Sequence, residues 1–255
     1  MVFSDIGLWD VMLIIVVTAT ATTLAYLHDP KFKAAMISLP IPFTLAALAV
    51  DRPLDSTNIM GLVLLFCYTH GVRILYKKLH WPIVVSIVTA AIGYCLVGAI
   101  LVRVLPPQEI FFWISSLIVL SVGILLYIKH PYREEQGHRT SLPVWIKAPI
   151  IMMVIICLVL IKKWLGGFMT LFPMVGVVAS YEARNSLWTM CRQITVVIIT
   201  FVPLMLLCRL TQNYVGLALS LVLGWGVFLV IFIPLTWFMW KQEKKILGGL
   251  NKNVR

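Results

Sequence analysis

The chain is a succession of long apolar runs joined by short polar links, and no other feature limits its fold as strongly. Nine runs are legible, at residues 7–27, 35–50, 58–76, 80–105, 109–128, 143–162, 164–180, 187–208 and 213–240. A helix needs about 20 apolar residues to cross the hydrocarbon core of a bilayer. Of the 255 residues, 61% are apolar and 12% are charged, and the mean hydropathy is +0.97. A water-soluble domain of this length cannot bury so much apolar surface. The expectation is an all-α polytopic membrane protein of about nine transmembrane helices. A soluble enzyme, a disordered chain and a nucleic-acid-binding domain are excluded, despite a net charge of +11.

The cations have another use. With nine crossings, Arg52, Arg103, Lys162, Lys163 and Arg209 fall on one side and the rest of the 21 Lys and Arg on the other. The crowded side is expected to be cytoplasmic. That gives a multi-pass protein of the bacterial inner membrane, with its N-terminus outside and its C-terminus cytoplasmic. The N-terminus carries Asp5 and Asp10 and no Lys or Arg before the first run, so residues 7–27 read as a retained helix, not a secretory leader. The five cysteines lie inside apolar runs without C-x-x-C spacing and read as packing residues.

Two stretches read alike, LPIPFTLAALAVDRPLDSTN from Leu39 and TLFPMVGVVASYEARNSLWT from Thr170. A shift of 131 residues lays Pro42 on Pro173, Asp51 on Glu182, Lys31 on Lys162, Thr69 on Thr200 and Gly93 on Gly224. Four spans plus one connecting span invert the second unit. The chain is therefore expected to hold two inverted-topology four-span repeats joined by a linking helix, a construction common in secondary transporters. The boundaries are residues 1–105 for the first repeat, 106–142 for the linking span and a cytoplasmic loop, 143–240 for the second repeat, and 241–255 for a basic cytoplasmic tail.

The matching second and seventh runs are short and broken, by Pro40 and Pro42 in one and Pro173 in the other. Interrupted segments in matching positions point to a binding site, because a broken helix frees backbone groups for a ligand. Both runs end in charged clusters, Asp51, Arg52 and Asp55 in D-R-P-L-D and Glu182, Arg184 and Asn185 in Y-E-A-R-N. Asp51, Glu182 and Asp55 are candidates to bind a coupling Na⁺ or H⁺. Arg52, Arg184, Arg192 and Asn185 are candidates to hold a polar or anionic substrate. The alternative for both clusters is a pair of interfacial salt bridges. Arg192 either snorkels to headgroups or faces the bundle. Tyr94 beside Gly93 and Trp225 beside Gly224 are either substrate lining or helix packing. His70, next to Tyr68 and Thr69, reads as a packing histidine or a proton relay. No metal-binding, nucleophile-elbow or Walker A signature appears, so no enzyme activity, metal site or resident cofactor is expected.

The stretch from Trp145 to Pro234 resembles the small bacterial GlpM-type integral membrane proteins. The resemblance rests on LFPMVGVVASY followed by the Trp-containing span LWTMCRQITVVIITFVPLML. It covers about a third of the chain. Ser180 and Tyr181 stand where that family usually carries a histidine. The resemblance implies a four-span unit, of which this chain would hold two, and carries no activity.

The leading expectation is an ion-coupled secondary transporter of a small polar or anionic solute, working by alternating access. Two alternatives follow from the same residues: a flippase or export factor for an anionic lipid or envelope polymer, and a non-transporting subunit of a larger complex. The membrane and a small solute or lipid are the expected partners, and a homo-oligomer is compatible with the sequence.

Overall fold

The computed structural model describes residues 7–106, 108–129, 131, 133, 135, 137, 138, 143–160 and 165–252. Lys162, Lys163, Trp164 and His130 lie outside the described residues. The described residues form helices α1 (Leu8–Tyr26), α2 (Pro30–Ile37), α3 (Ile41–Val50), α4 (Ser56–Lys77), α5 (Ile83–Val104), α6 (Glu109–Lys129) and α7 (Val144–Leu160). A 3-10 helix (Gly166–Leu171), α8 (Met174–Glu182) and α9 (Leu187–Lys252) follow. Among the described residues, six helices are long and apolar enough to cross a membrane. They are α1, the α2–α3 run Pro30–Val50, α4, α5, α6 and Leu187–Glu243. The expected run at 143–162 is the shorter apolar helix α7. The run at 164–180 is divided between the 3-10 helix and α8.

The expected runs 187–208 and 213–240 lie within the single element α9, which is a hairpin. Its turn is Gly216, at φ 80° and ψ 166°, a conformation open only to glycine. The two arms run antiparallel. The Cys208 thiol donates to the Ser220 carbonyl at 3.2 Å, and far along the arms Arg192 is ion-paired with Glu243. Near the turn the arms touch so closely that a Cβ on Gly224 would meet Cys208 Sγ at 2.8 Å. Gly93, its counterpart by the 131-residue shift, has open space there.

Proline explains the breaks in α2–α3 and in the run before α8. Pro40 and Pro42 cannot donate to the carbonyls of Met36 and Ser38, so the helix stops at Ile37 and restarts at Ile41. Pro173 likewise cannot donate to Met169, whose carbonyl instead takes the Phe172 amide at 3.2 Å. α3 then ends on Asp51, in the left-handed region at φ 50°, where a short polar side chain is tolerated. Asp55 caps α4, accepting from Thr57 N at 2.8 Å.

The bundle has two charged ends. At one, Lys33 and Lys147 meet Glu182, and Lys31 and Arg192 meet Glu243. At the other, Arg209 donates to the Leu54 carbonyl at 3.1 Å and lies 3.8 Å from Glu109. These contacts fix the direction of each element. α2–α3 runs from the lysine-rich end, at Lys33, to the opposite end, at Asp51. The 3-10 helix and α8 run the other way, from Gly167 beside Thr57 to Glu182. α4 and the first arm of α9 are also opposed, as are α5 and the second arm.

Two apolar clusters fill the bundle. One gathers α1, α7 and α8 around Val17, Leu24, Ile155 and Ala179. The other packs Phe43, Leu62, Val202, Met205 and Phe228. The faces of α5 and α6 that carry Val88, Ile92, Leu96, Leu117 and Leu125 stay exposed, as a lipid-facing surface would.

Candidate functional site

The two proline breaks meet. They line a cavity of about 60 Å³, whose lining includes Leu39, Pro42, Phe43, Thr170, Pro173 and Met174. These six are related in pairs by the 131-residue shift, Leu39 with Thr170, Pro42 with Pro173 and Phe43 with Met174. Tyr68 and Thr69 complete its polar lining, which includes no charged side chain among the described residues. The Tyr68 hydroxyl lies 3.5 Å from Ser180 Oγ. Thr69 bonds back to the Leu65 carbonyl at 2.9 Å, as Thr200 does to Val196. Such back-bonding satisfies a hydroxyl inside a membrane helix.

Each broken segment is held by long helices from the other side of α6. Tyr94 on α5 donates to the Phe168 carbonyl at 2.9 Å. Trp225 on the second arm of α9 donates to Thr44 Oγ1 at 2.8 Å, and that hydroxyl donates to the Pro40 carbonyl at 2.7 Å. Tyr94 and Trp225 are counterparts in the shift and perform counterpart tasks. A second pair is similar. Asn58 on α4 donates to Thr170 Oγ1 at 2.9 Å and to the Gly167 carbonyl at 3.3 Å. Gln193 on α9 donates to Ser38 Oγ at 2.7 Å. Tyr94 and Trp225 do not line the cavity; they set the position of the segments that do.

A polar recess of about 200 Å³ lies toward the end opposite the lysines. Arg52, Asp55, Thr57, Asn58, Gly167 and Thr170 line it. Thr170 lines both the recess and the cavity, and it is hydrogen-bonded to Asn58 and to the Gly167 carbonyl. Gly167 is required there, because a Cβ would lie 2.0 Å from Thr57 Oγ1.

The lysine-rich end holds buried ion pairs among the described residues. Glu182 is fully buried and ion-paired with Lys147. Lys33, 1% exposed, donates to the carbonyls of His138 at 2.6 Å and Glu182 at 3.2 Å. Glu135 accepts from Trp188 N at 3.1 Å and Thr189 N at 2.7 Å and so caps α9. Arg73 and Arg133 stack on Trp188 at 4.4 and 4.7 Å. Burial, and then the Arg184 guanidinium, hold the His138 imidazole below its usual range.

The charged candidates are therefore not brought together. Asp51 and Arg52 are exposed at one end, and Asp55 is occupied in capping. At the other end Glu182 is paired with Lys147 and not with Arg184, which lies over Tyr181 at 5.1 Å. Asn185 is exposed. Arg192 pairs with Glu243, 3% exposed, on a helix that continues into the expected tail. His70 stacks on Phe66 with centroids 3.9 Å apart. All five cysteines are free. Sequence reasoning missed Lys33, Lys147 and Glu243 as partners and Asn58 and Gln193 as cross-links. The scarcity of acids, ten against 21 cations, was the available signal for Glu243. No family model, curated protein or solved structure matches the chain.

Proposed function

We propose that this protein is a secondary transporter that moves a small polar solute by alternating access through the cavity between the two broken segments. One observation carries the reading: oppositely directed broken segments meet at a shared cavity, with a polar recess toward one end and buried ion pairs toward the other. In this reading the elements before and after α6 are inverted repeats of four spans, α6 links them, and the chain crosses nine times. The pairing of Leu39 with Thr170, Pro42 with Pro173 and Tyr94 with Trp225 supports it. Inverted repeats provide two half-pathways, one to each side, around a fixed midplane site. The lysine-rich end faces the cytoplasm by the positive-inside rule.

The cavity refines the substrate. Its 60 Å³ is the room of about two water molecules, so the solute is small or the site widens around it. A charge in this wall of Phe, Pro and Leu would be buried without a partner, at a cost of several kcal/mol. An uncharged polar solute, hydrogen-bonded by Tyr68, Thr69 and Thr170, fits better than an anion. Arg52 acts at the mouth of the recess. Glu182 is the coupling carboxylate, since it is buried and Asp51 is not.

Ligand-dependent thermal stability of the purified protein tests the proposal. A ligand of the folded state raises the midpoint by mass action. A solute class that stabilises the native chain and fails to stabilise Tyr68→Phe and Thr170→Val identifies substrate and site together. Stabilisation by lipids alone, equal in all three proteins, refutes it in favour of lipid handling.

A further inference from the structure

The polar recess holds one side chain whose hydrogen-bonding capacity the fold does not use. Ser56, Thr57, Asn58 and Thr170 are its buried polar lining. The Thr57 hydroxyl donates to Asp55 Oδ1. Asn58 accepts from the Asp55 amide and donates to Gly167 and Thr170. Thr170 Oγ1 in turn donates to the Gly167 carbonyl at 2.7 Å. Ser56 differs from these three. It opens α4 and is 5% exposed. Its hydroxyl faces the recess and is bonded to none of the described residues. A buried polar group left unpaired is costly, so this hydroxyl marks a place that something outside the chain fills.

The charges around Ser56 select what that is. Arg52 and Asp55 both line the recess, yet neither is ion-paired among the described residues. A lone anion on Arg52 would face the Asp55 carboxylate, and a lone cation on Asp55 would face the guanidinium. A solute that carries both charges meets each with its opposite and adds no net charge. The remaining wall includes Val102, Leu105 and Pro106, which suit a short aliphatic link between the two charges. At about 200 Å³ the recess has the room of about six or seven water molecules, enough for a solute of a few carbons.

We propose that the recess is a binding site for a small zwitterion, with a carboxylate or phosphate and an ammonium group on a short aliphatic chain. Arg52 takes the anionic oxygens, which its planar fork fits. The Ser56 hydroxyl donates to the same anionic group, and Asp55 accepts from the ammonium. The site is separate from the cavity between the broken segments, and Thr170 touches both. It goes beyond the transporter reading, because the recess binds its ligand whether or not the ligand is moved. Two sources offer this chemistry, a free amino acid and the headgroup of a zwitterionic lipid.

The test titrates the purified protein in a nonionic detergent with glycine, β-alanine, 4-aminobutyrate and phosphoethanolamine. Acetate and ethylammonium serve as the separate halves. Affinity is read from the rise of the unfolding midpoint with ligand concentration. At least one zwitterion is expected to bind about tenfold or more tightly than either half. Arg52→Gln and Asp55→Asn should each weaken that binding about tenfold or more, by loss of a charged hydrogen-bond partner; Asn keeps the cap on α4. Ser56→Ala should weaken it about fivefold. Without ligand its midpoint should not move, because the hydroxyl has no partner in the chain to lose. Arg103→Gln removes an exposed cation outside the recess lining and should leave the affinity unchanged. Binding of either half as tight as that of every zwitterion, no binding of any probe, or full affinity in both Ser56→Ala and Arg52→Gln overturns the inference. The titration is repeated in phosphatidylglycerol nanodiscs with and without phosphatidylethanolamine. Competition by that lipid assigns the recess to a headgroup, and unchanged binding assigns it to a free solute. Flux of an uncharged solute through a protein that binds no zwitterion refutes this site and leaves transport standing. Zwitterion binding in a protein that moves no solute refutes transport and leaves the site standing.

Discussion

The two ends of the bundle handle charge in opposite ways. At the lysine-rich end Glu182, Lys33 and Glu243 are buried and joined to partners on other helices. At the other end Asp51 and Arg52 stand exposed beside a polar recess, and Asp55 bonds only within its own turn. Buried ion pairs are costly to assemble and more costly to break, whereas exposed ones contribute little. Two clusters that look equivalent in sequence therefore differ in what their loss would do. One is a buried contact among three helices, and the other is a polar mouth.

Mutations can break or sharpen the contrast. The largest effect is expected for Glu182→Ala, which strands two buried ammonium groups and should cost about 3–5 kcal/mol, read from denaturant unfolding in detergent. Replacing Glu182 and Lys147 together with Gln and Met should recover much of that loss, since an apolar pair of similar size is tolerated where a lone charge is not. Next comes Gly224→Ala, which places a methyl against Cys208 and should cost roughly 1–3 kcal/mol. Gly93→Ala meets nothing and should be neutral or stabilising. Tyr94→Phe and Trp225→Phe each remove one cross-link and should cost about 1 kcal/mol apiece, read as shifts in the unfolding midpoint. Very unequal losses would argue against treating the two as counterparts. Asp51→Asn should leave the midpoint unmoved, because the exposed residue keeps a side chain that tolerates the left-handed region.

Local chemistry explains which parts were legible in the sequence. Pro40, Pro42 and Pro173 lack an N–H, so the breaks they cause could be placed from the residues alone. The shift of 131 residues found Leu39, Thr170 and the proline pair because both segments keep that spacing around one cavity. The turn at Gly216 was less legible. R-L-T-Q-N reads as a polar link, yet Arg209 and Gln212 stay helical while their side chains bond Leu54. Partners of the acids could not be read. With ten acids among 21 cations, the choice of Lys147 over Arg184 for Glu182 depends on how α7 packs on α8, and no local pattern encodes that. Asn58 and Gln193 likewise look like isolated polar residues until the opposing broken segment lies beside them.

The central claim is that the cavity at the broken segments opens to both faces in turn. A single cysteine at Thr69, which lines that cavity, tests it directly. Thr69→Cys in a background without other cysteines would be reconstituted in oriented liposomes and exposed to an impermeant thiol reagent from one face at a time. The account predicts modification from either face, with access from the lysine-rich face increased by Glu182→Gln. Modification from the recess side alone, in both proteins, would mark the cavity as a blind pocket and contradict the account.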